Sequence, residues 1–300
     1  MKIVVAGGTG FLGRPLTTRL VSAGHEVVVL TRSRGDTGPG VRGVVWTPDG
    51  GDGAWAGEID GADAVINLAG ESIAGHRWSA EHKQRVLDSR VRATRSLVAA
   101  IARALQPPAV FASGSAVGYY GPRADEVVTE DTPPGADFLA RVCVQWEAEA
   151  ARAIGPRTRV VCIRTGLVLE RDGGALPQML PPFKFGAGGP VGSGRQYWPW
   201  IHRADWIEIV RWVIETATVS GPVNATAPEP VANAEFARAL GRALHRPAFM
   251  PAPAFALRLA LGEMAAMLLS GQRVVPRRLG EDGFAFRFPT LPAALADLLR

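Results

Sequence analysis

Ile3-Val4-Val5-Ala6-Gly7-Gly8-Thr9-Gly10-Phe11-Leu12-Gly13 holds a strand, a tight turn and the start of a helix within eleven residues. The apolar run Ile3 to Ala6 is too short for a helix and ends in glycines, as a buried strand does. Helical spacing then runs over residues 11 to 23, until Gly24-His25 breaks it. The glycines at 7, 10 and 13 serve different ends. They allow a tight turn, close approach of backbone to a pyrophosphate, and close packing of helix on strand. The helix start offers free N–H groups and a positive dipole end to phosphate. A glycine triplet alone is weak, but one that follows an apolar strand and opens an amphipathic helix specifies a dinucleotide site. Gly7, Thr9, Gly10, Phe11, Leu12 and Gly13 are the candidate residues of that loop.

Outward from this loop, the β-rich run Glu26 to Thr31 ends in Thr31-Arg32-Ser33-Arg34. An NAD site places an acid here to hold the ribose 2′-hydroxyl. Arg32, with Arg34 nearby, instead suits a 2′-phosphate through a charge-assisted fork, so NADP(H) is the expected cofactor and Thr31 and Arg32 join its site.

Strand-like and helix-like segments keep alternating over the first two-thirds of the chain. Val44-Val45-Trp46, Ala64 to Leu68, Ala109 to Ala112 and Thr158 to Arg164 read as strands; 79–105 and 137–154 read as helices. The pattern predicts an α/β fold: a Rossmann doubly wound parallel sheet with a smaller, mainly helical C-terminal lobe. The expected division is 1–230 for the NADP(H)-binding domain, with loop-rich substrate-side insertions from about 170, and 231–300 for the lobe. Helices are predicted there at 233–245, 254–269 and 290–299.

Composition excludes several classes. A hydrophobic share of 47% with 20% charged residues is that of an ordinary globular protein. The net charge of +5 comes from arginines interleaved with acids, the pattern of a solvated surface, so no nucleic-acid partner is expected. Phe255 to Leu269, the most apolar later stretch, contains Arg258 and Glu263 and is too short to cross a bilayer, so no membrane partner is expected. Met1-Lys2 precedes only four apolar residues, which is no secretory signal, and the cytoplasm is the expected location. Cys143 and Cys162 are expected as free core thiols, and the five scattered histidines show no metal-ligand spacing. A monomer or homodimer acting on a small molecule is the expected state.

The motifs together resemble the short-chain dehydrogenase/reductase superfamily in its extended, epimerase-like branch, and more closely the atypical members called epimerase family proteins, which end in a small domain of uncharacterised function. The residues that carry the resemblance are GGTGFLG (7–13), NLAGESI (67–73), RW (77–78), SR (89–90) with Thr94, GSAVGYYG (114–121), WEAEA (146–150), RTGLVL (164–169) and GSGRQYWPWIH (192–202) with Asp205. The resemblance covers essentially the whole chain. It implies that Leu68, Ala69 and Gly70 pass the adenosine side of the cofactor. Ser113 or Ser115 falls where the superfamily keeps its catalytic Ser/Thr, with Ser113 expected at the cofactor and Ser115 at the chemistry. Arg90 stands where extended relatives have a helix Asn and is expected to contact the cofactor or order the strand-end loop. The WIHRAD segment would line the substrate pocket.

One departure is large. Those relatives use a Tyr-x-x-x-Lys pair on a helix, with Lys lowering the Tyr pKa. The corresponding helix here reads Phe138-Leu-Ala-Arg-Val-Cys-Val-Gln-Trp146-Glu, and the only lysines are Lys2, Lys83 and Lys184. Candidates left for proton transfer are Ser115, Tyr120 and Glu71, the last as a base or as the partner of Arg77 or Arg90. Trp78, Trp198 and Trp200 form an aromatic wall or pack the lobe, Arg195 is a candidate for an anionic group, and His202 for a donor or a lobe-interface residue. The expected activity is NADP(H)-dependent oxidation, reduction or epimerisation; the alternative is an NADP(H)-binding regulator without turnover.

Overall fold

Ile3–Ala6, Val27–Leu30 and Ala64–Ile66 are apolar on both sides of their strands, and all are buried, as a parallel sheet covered on each face requires. The computed structural model describes residues 1–300. β1 (Lys2–Ala6) leads through the glycine loop into α1 (Gly13–Ser22), followed by β2 (Glu26–Thr31), β3 (Val41–Val45) and β4 (Ala64–Asn67). Then come α2 (Ala80–Arg103), β5 (Val110–Ala116), the short β6 (Val127–Val128), α3 (Phe138–Ala151) and β7 (Arg159–Thr165). The chain continues with β8 (Leu167–Leu169), α4 (Leu176–Lys184), β9 (Tyr197–Trp198), β10 (Trp200–His202), α5 (Arg203–Glu215), β11 (Gly221–Ala225) and β12 (Val231–Ala232). It ends with α6 (Asn233–Leu244), α7 (Ala254–Leu261), α8 (Ala266–Leu269), β13 (Arg273–Val274), α9 (Arg277–Glu281) and α10 (Leu291–Leu298).

Seven of these strands form one parallel sheet in the order β11-β7-β5-β4-β1-β2-β3. The winding reverses between β1 and β4, and the crevice at the carboxyl ends of strands flanking such a switch is where ligands bind in this architecture. One apolar layer packs Leu16 and Leu20 of α1 with Trp206, Ile209 and Val213 of α5. The opposite layer packs Ala93, Leu97 and Ile101 of α2 with Ala150 of α3.

A third core joins Leu176, Leu180 and Phe183 of α4 to Phe236 and Leu240 of α6 and to Leu291 and Leu295 of α10. The stretch after 170 is therefore not only loop, because α4 forms despite Pro181 and Pro182 and shares its core with residues beyond 230. The continuous helix expected at 254–269 is also interrupted. Gly262, at φ +60, divides it into α7 and α8 through a single 3₁₀ turn. α5 and β11 are a further helix and strand that periodicity did not single out. The Asp205 carboxylate at the start of α5 accepts from the Arg287 and Phe288 amides at 2.8 and 2.9 Å, tying the C-terminal segment to the sheet domain. No helix is long and apolar enough to cross a membrane.

Candidate functional site

Backbone geometry makes the glycine loop. Gly7 has φ +80, and a Cβ there would lie 2.7 Å from the Leu68 carbonyl carbon. A Cβ on Gly13 would lie 2.2 Å from the Gly7 oxygen, so only glycine lets α1 approach β1 so closely. Thr9, Gly10 and Phe11 are successive exposed residues, and Leu12 is half-buried. α2 and α3 have side-chain caps, Ser79 accepting from the His82 amide and Asp137 from the Ala140 amide. α1 has no side-chain cap and no acid in its first turn, which leaves its N-terminal donors for an anion. The Phe11 ring is covered by Gly173 and Gly174, where a Cβ would come within 2.6 and 3.0 Å of it.

At the end of β2, Thr31 Oγ1 donates to the Ser33 carbonyl at 2.9 Å and turns the chain. Arg32 and Arg34 beyond it are exposed and make neither hydrogen bond nor ion pair. At the end of β4, Leu68 and Ala69 are half-buried and Gly70 is exposed. Asn67 orders this end: its Oδ1 accepts from the Ala69 amide at 3.1 Å, and its Nδ2 donates to Thr94 Oγ1 at 2.9 Å. Arg90 donates to the Glu71 carbonyl at 2.9 Å, stacks over Trp146 at 5.2 Å and lies against Gly70. Arg90 is 9% exposed, and burial lowers its pKa.

β5 runs to Ala116, so Ser113 and Ser115 lie on the strand itself. Ser113 is fully buried, with its hydroxyl 3.3 Å from the Gly114 carbonyl. The Ser115 hydroxyl donates to Glu147 Oε1 of α3 at 2.6 Å. Arg164, at the end of β7, forks onto both oxygens of Glu147 at 2.8 Å, and the two side chains are 4% and 14% exposed. The α3 face toward this end also carries Leu139 and Cys143 against Gly118, and Trp146 against Gly114. Burial first, and the Glu147 charge second, push the Cys143 thiol up to about 11.

A model of the NAD-dependent epimerase/dehydratase family matches residues 3–225, most of the chain. The chain belongs to that family. A domain of unknown function, DUF1731, matches residues 252–298, and α6 falls between the two matches. Epimerase family protein SDR39U1 of Bos taurus is 44% identical over 304 residues, covering all of both chains. Epimerase family protein YfhF of Bacillus subtilis is 40% identical over 301 residues, covering 100% of this chain and 98% of its own. A crystal structure of human SDR39U1 with NADPH is similar at a TM-score of 0.91 and 40% identity, covering 100% of this chain and 99% of that one.

Within this family member the remaining candidates fall into two groups. Trp78 is half-buried, donates to the Ile73 carbonyl at 3.0 Å and packs edge-on against Phe138, so it braces the loop after β4 against α3. Arg77 of the same loop donates to the Leu259 carbonyl at 2.9 Å. Arg195 is exposed, and its guanidinium makes no hydrogen bond or ion pair.

The structure corrects two other expectations, for Tyr120 and Glu71, and decides between the alternatives for Trp200 and His202 in favour of packing and the lobe interface. Tyr120 does not face the cleft: it is completely buried, donates to Asn224 Oδ1 at 2.6 Å and accepts from Arg164 at 2.9 Å. Burial pushes its phenol up to about 12. Glu71 does not pair with Arg77 or Arg90; its carboxylate turns onto α2, 3.2 Å from Arg85 Nε and 3.5 Å from His82. Trp200 is fully buried in the third core, with its indole N–H on the Glu229 carbonyl. His202 is 4% exposed; its Nδ1 accepts from the Ala204 amide at 3.0 Å, capping α5, and its ring stacks on Phe288 at 3.9 Å. It is a joint between the sheet domain and the C-terminal segment.

Glu147 and Asn67 are the residues that sequence reasoning missed. Asn67 stood inside the quoted NLAGESI motif, and Glu147 inside WEAEA, but nothing local marks their partners.

Proposed function

We propose that the chain is an NADP(H)-dependent oxidoreductase or epimerase-like enzyme acting on a small molecule, with Ser115 at the reacting oxygen and Glu147 as its proton partner. NADP(H) fits the residues present: the open glycine cradle and uncapped α1 suit the pyrophosphate, and unpaired Arg32 and Arg34 suit the 2′-phosphate. Bound there, the cofactor supplies or accepts a hydride at the nicotinamide.

The observation that carries the chemical reading is the 2.6 Å Ser115–Glu147 hydrogen bond at the carboxyl end of β5. A hydroxyl that donates to a carboxylate keeps its lone pairs free to accept. In the oxidative direction Ser115 Oγ takes the proton of a substrate hydroxyl while its own proton passes to Glu147 Oε1. In the reductive direction the proton runs back and meets the carbonyl oxygen. Arg164, forked on Glu147, fixes the carboxylate for both directions. This relay takes the place that Tyr and Lys hold in the superfamily.

A panel of enones, quinones, imines and simple ketones with NADPH, followed by absorbance loss, tests the reading. Turnover that falls at least about a hundredfold in both Ser115→Ala and Glu147→Gln, with NADPH affinity kept, supports it. The absence of a Tyr-x-x-x-Lys pair on α3 favours the second reading, a cofactor-binding regulator. That reading stands if no compound is turned over and NADPH still binds.

A further inference from the structure

Apart from the glycine-loop cleft, α4, α6, β9 and the chain from Met250 to Leu257 line a half-open cavity of about 430 Å³. Its volume falls in the range of small-molecule sites, roughly 300–1,000 Å³. The walls are mainly apolar, with Met179 and Phe183 from α4, Phe236 and Leu240 from α6, and Trp198 from β9. No charged side chain lines it. None of its walls comes from the glycine loop, from Leu68–Gly70 or from the Ser115–Glu147 pair.

Two polar groups in these walls lack partners. Trp198 is 8% exposed, packs edge-on against Phe236 at 5.4 Å, and its indole N–H is buried with no acceptor. The buried indoles of Trp200 and Trp206 do find acceptors, on the Glu229 carbonyl and Thr165 Oγ1. Trp146 shares the orphaned state of Trp198, and it packs beside Arg90 at the cofactor end. Asn233 is 2% exposed; its Oδ1 accepts from the Val191 amide at 2.6 Å, while its Nδ2 donates to no protein atom. A buried donor without an acceptor costs free energy, so a fold that keeps Trp198 Nε1 in that state beside a void, with the Asn233 amide donor uncommitted in the same lining, has left an acceptor to be supplied from outside.

The lining also selects the ligand's chemistry. An anion would find no counter-charge there and would lose its hydration, which excludes a phosphate or carboxylate inside the cavity. We propose that this cavity binds a neutral, largely apolar small molecule bearing a carbonyl or quinone oxygen, which accepts from Trp198 Nε1 and Asn233 Nδ2. The site is separate from the cofactor cleft, and its occupancy does not depend on whether the chain turns over a substrate.

The probe for the experiment is 6-propionyl-2-(dimethylamino)naphthalene, a neutral aromatic ketone whose emission reports polarity and hydrogen bonding. Its control is the 6-propyl analogue, which lacks the carbonyl. The full-length chain is expected to bind the ketone saturably at one site, with blue-shifted emission. Trp198→Phe should weaken the ketone about tenfold and leave the propyl analogue unchanged, as the loss of one hydrogen bond requires. Ala237→Leu, which adds bulk to the α6 wall, should weaken both probes. NADPH affinity should be unchanged in both variants, which also verifies that they fold. If Trp198→Phe fails to fold, the infrared carbonyl band of the ketone bound to wild type decides: a shift below its position in hexane supports the proposal, and none overturns it. Absence of saturable binding, or ketone binding equal in wild type and both variants, also overturns it.

Discussion

Where β1 and β2 end, backbone N–H groups and two arginines stand without partners; where β5 and β7 end, nearly every polar atom has one. Thr9, Gly10, Phe11, Arg32 and Arg34 are exposed, and α1 begins without a side-chain cap. Across the cleft, Ser115, Glu147, Arg164, Tyr120 and Asn224 form a continuous buried network from α3 to β11. An open end waits for a ligand to satisfy its donors, whereas a closed end is satisfied by the protein. Substitutions at the open end should therefore act on cofactor affinity, and those at the closed end on stability, with turnover affected as well where they touch the Ser115–Glu147 pair.

The largest effect belongs to the closed end. Glu147→Ala leaves Arg164 buried at 4% exposure without its counter-ion. Breaking such a pair costs about 3–5 kcal/mol, read as a fall in the urea midpoint. A loss below about 1 kcal/mol would show that Arg164 relaxes to water and that the end is not closed.

Gly13→Ala comes next, at the open end. The added Cβ meets the Gly7 oxygen at 2.2 Å, so α1 must shift away from β1. Overpacking of this kind costs about 1–3 kcal/mol and should also lower NADPH affinity by more than tenfold. Unchanged calorimetric affinity would remove the loop from the cofactor site.

Tyr120→Phe separates the two ends most cleanly. It leaves Asn224 Oδ1 without its donor in a buried setting, a loss of about 1–3 kcal/mol in chemical denaturation. NADPH affinity and any turnover should stay at wild-type values. A turnover defect at unchanged stability would return the phenol to the active site.

The smallest effect is a pH dependence at His202. Burial lowers its pKa, against the pull of Asp297, Asp205 and Glu170. A histidine depressed in the folded state is protonated more readily when unfolded, so stability is full above its unfolded pKa of about 6.5 and declines as pH falls below that. His202→Asn keeps a side-chain acceptor for the Ala204 amide and should flatten part of this decline. Urea midpoints at pH 7.5 and 5.5 measure it; identical declines in both proteins would assign the effect to other groups.

The open end was legible in the sequence because its requirements are local. A turn needing φ +80 at Gly7 and close contact at Gly13 admits only glycine, and Arg32 directly follows its strand. The closed end was not, because its bonds join residues far apart in the chain. Ser115 meets Glu147 across 32 positions and Tyr120 meets Asn224 across 104. At the end of a strand a tyrosine reads alike whether it faces a cleft or a core, and here the turn Val117–Tyr120 carries it inward. α4 was hidden by two internal prolines and the glycines around it, while the break at Gly262 interrupts a run whose apolar spacing alone reads as one helix.

Calorimetric titration of NADPH and NADH into wild type and Arg32→Ala is the most direct measurement of cofactor choice. Unpaired and exposed, Arg32 should give wild type at least about a tenfold preference for NADPH, near 1.4 kcal/mol, and its removal should abolish most of that preference. Equal affinities for the two cofactors in wild type would contradict it.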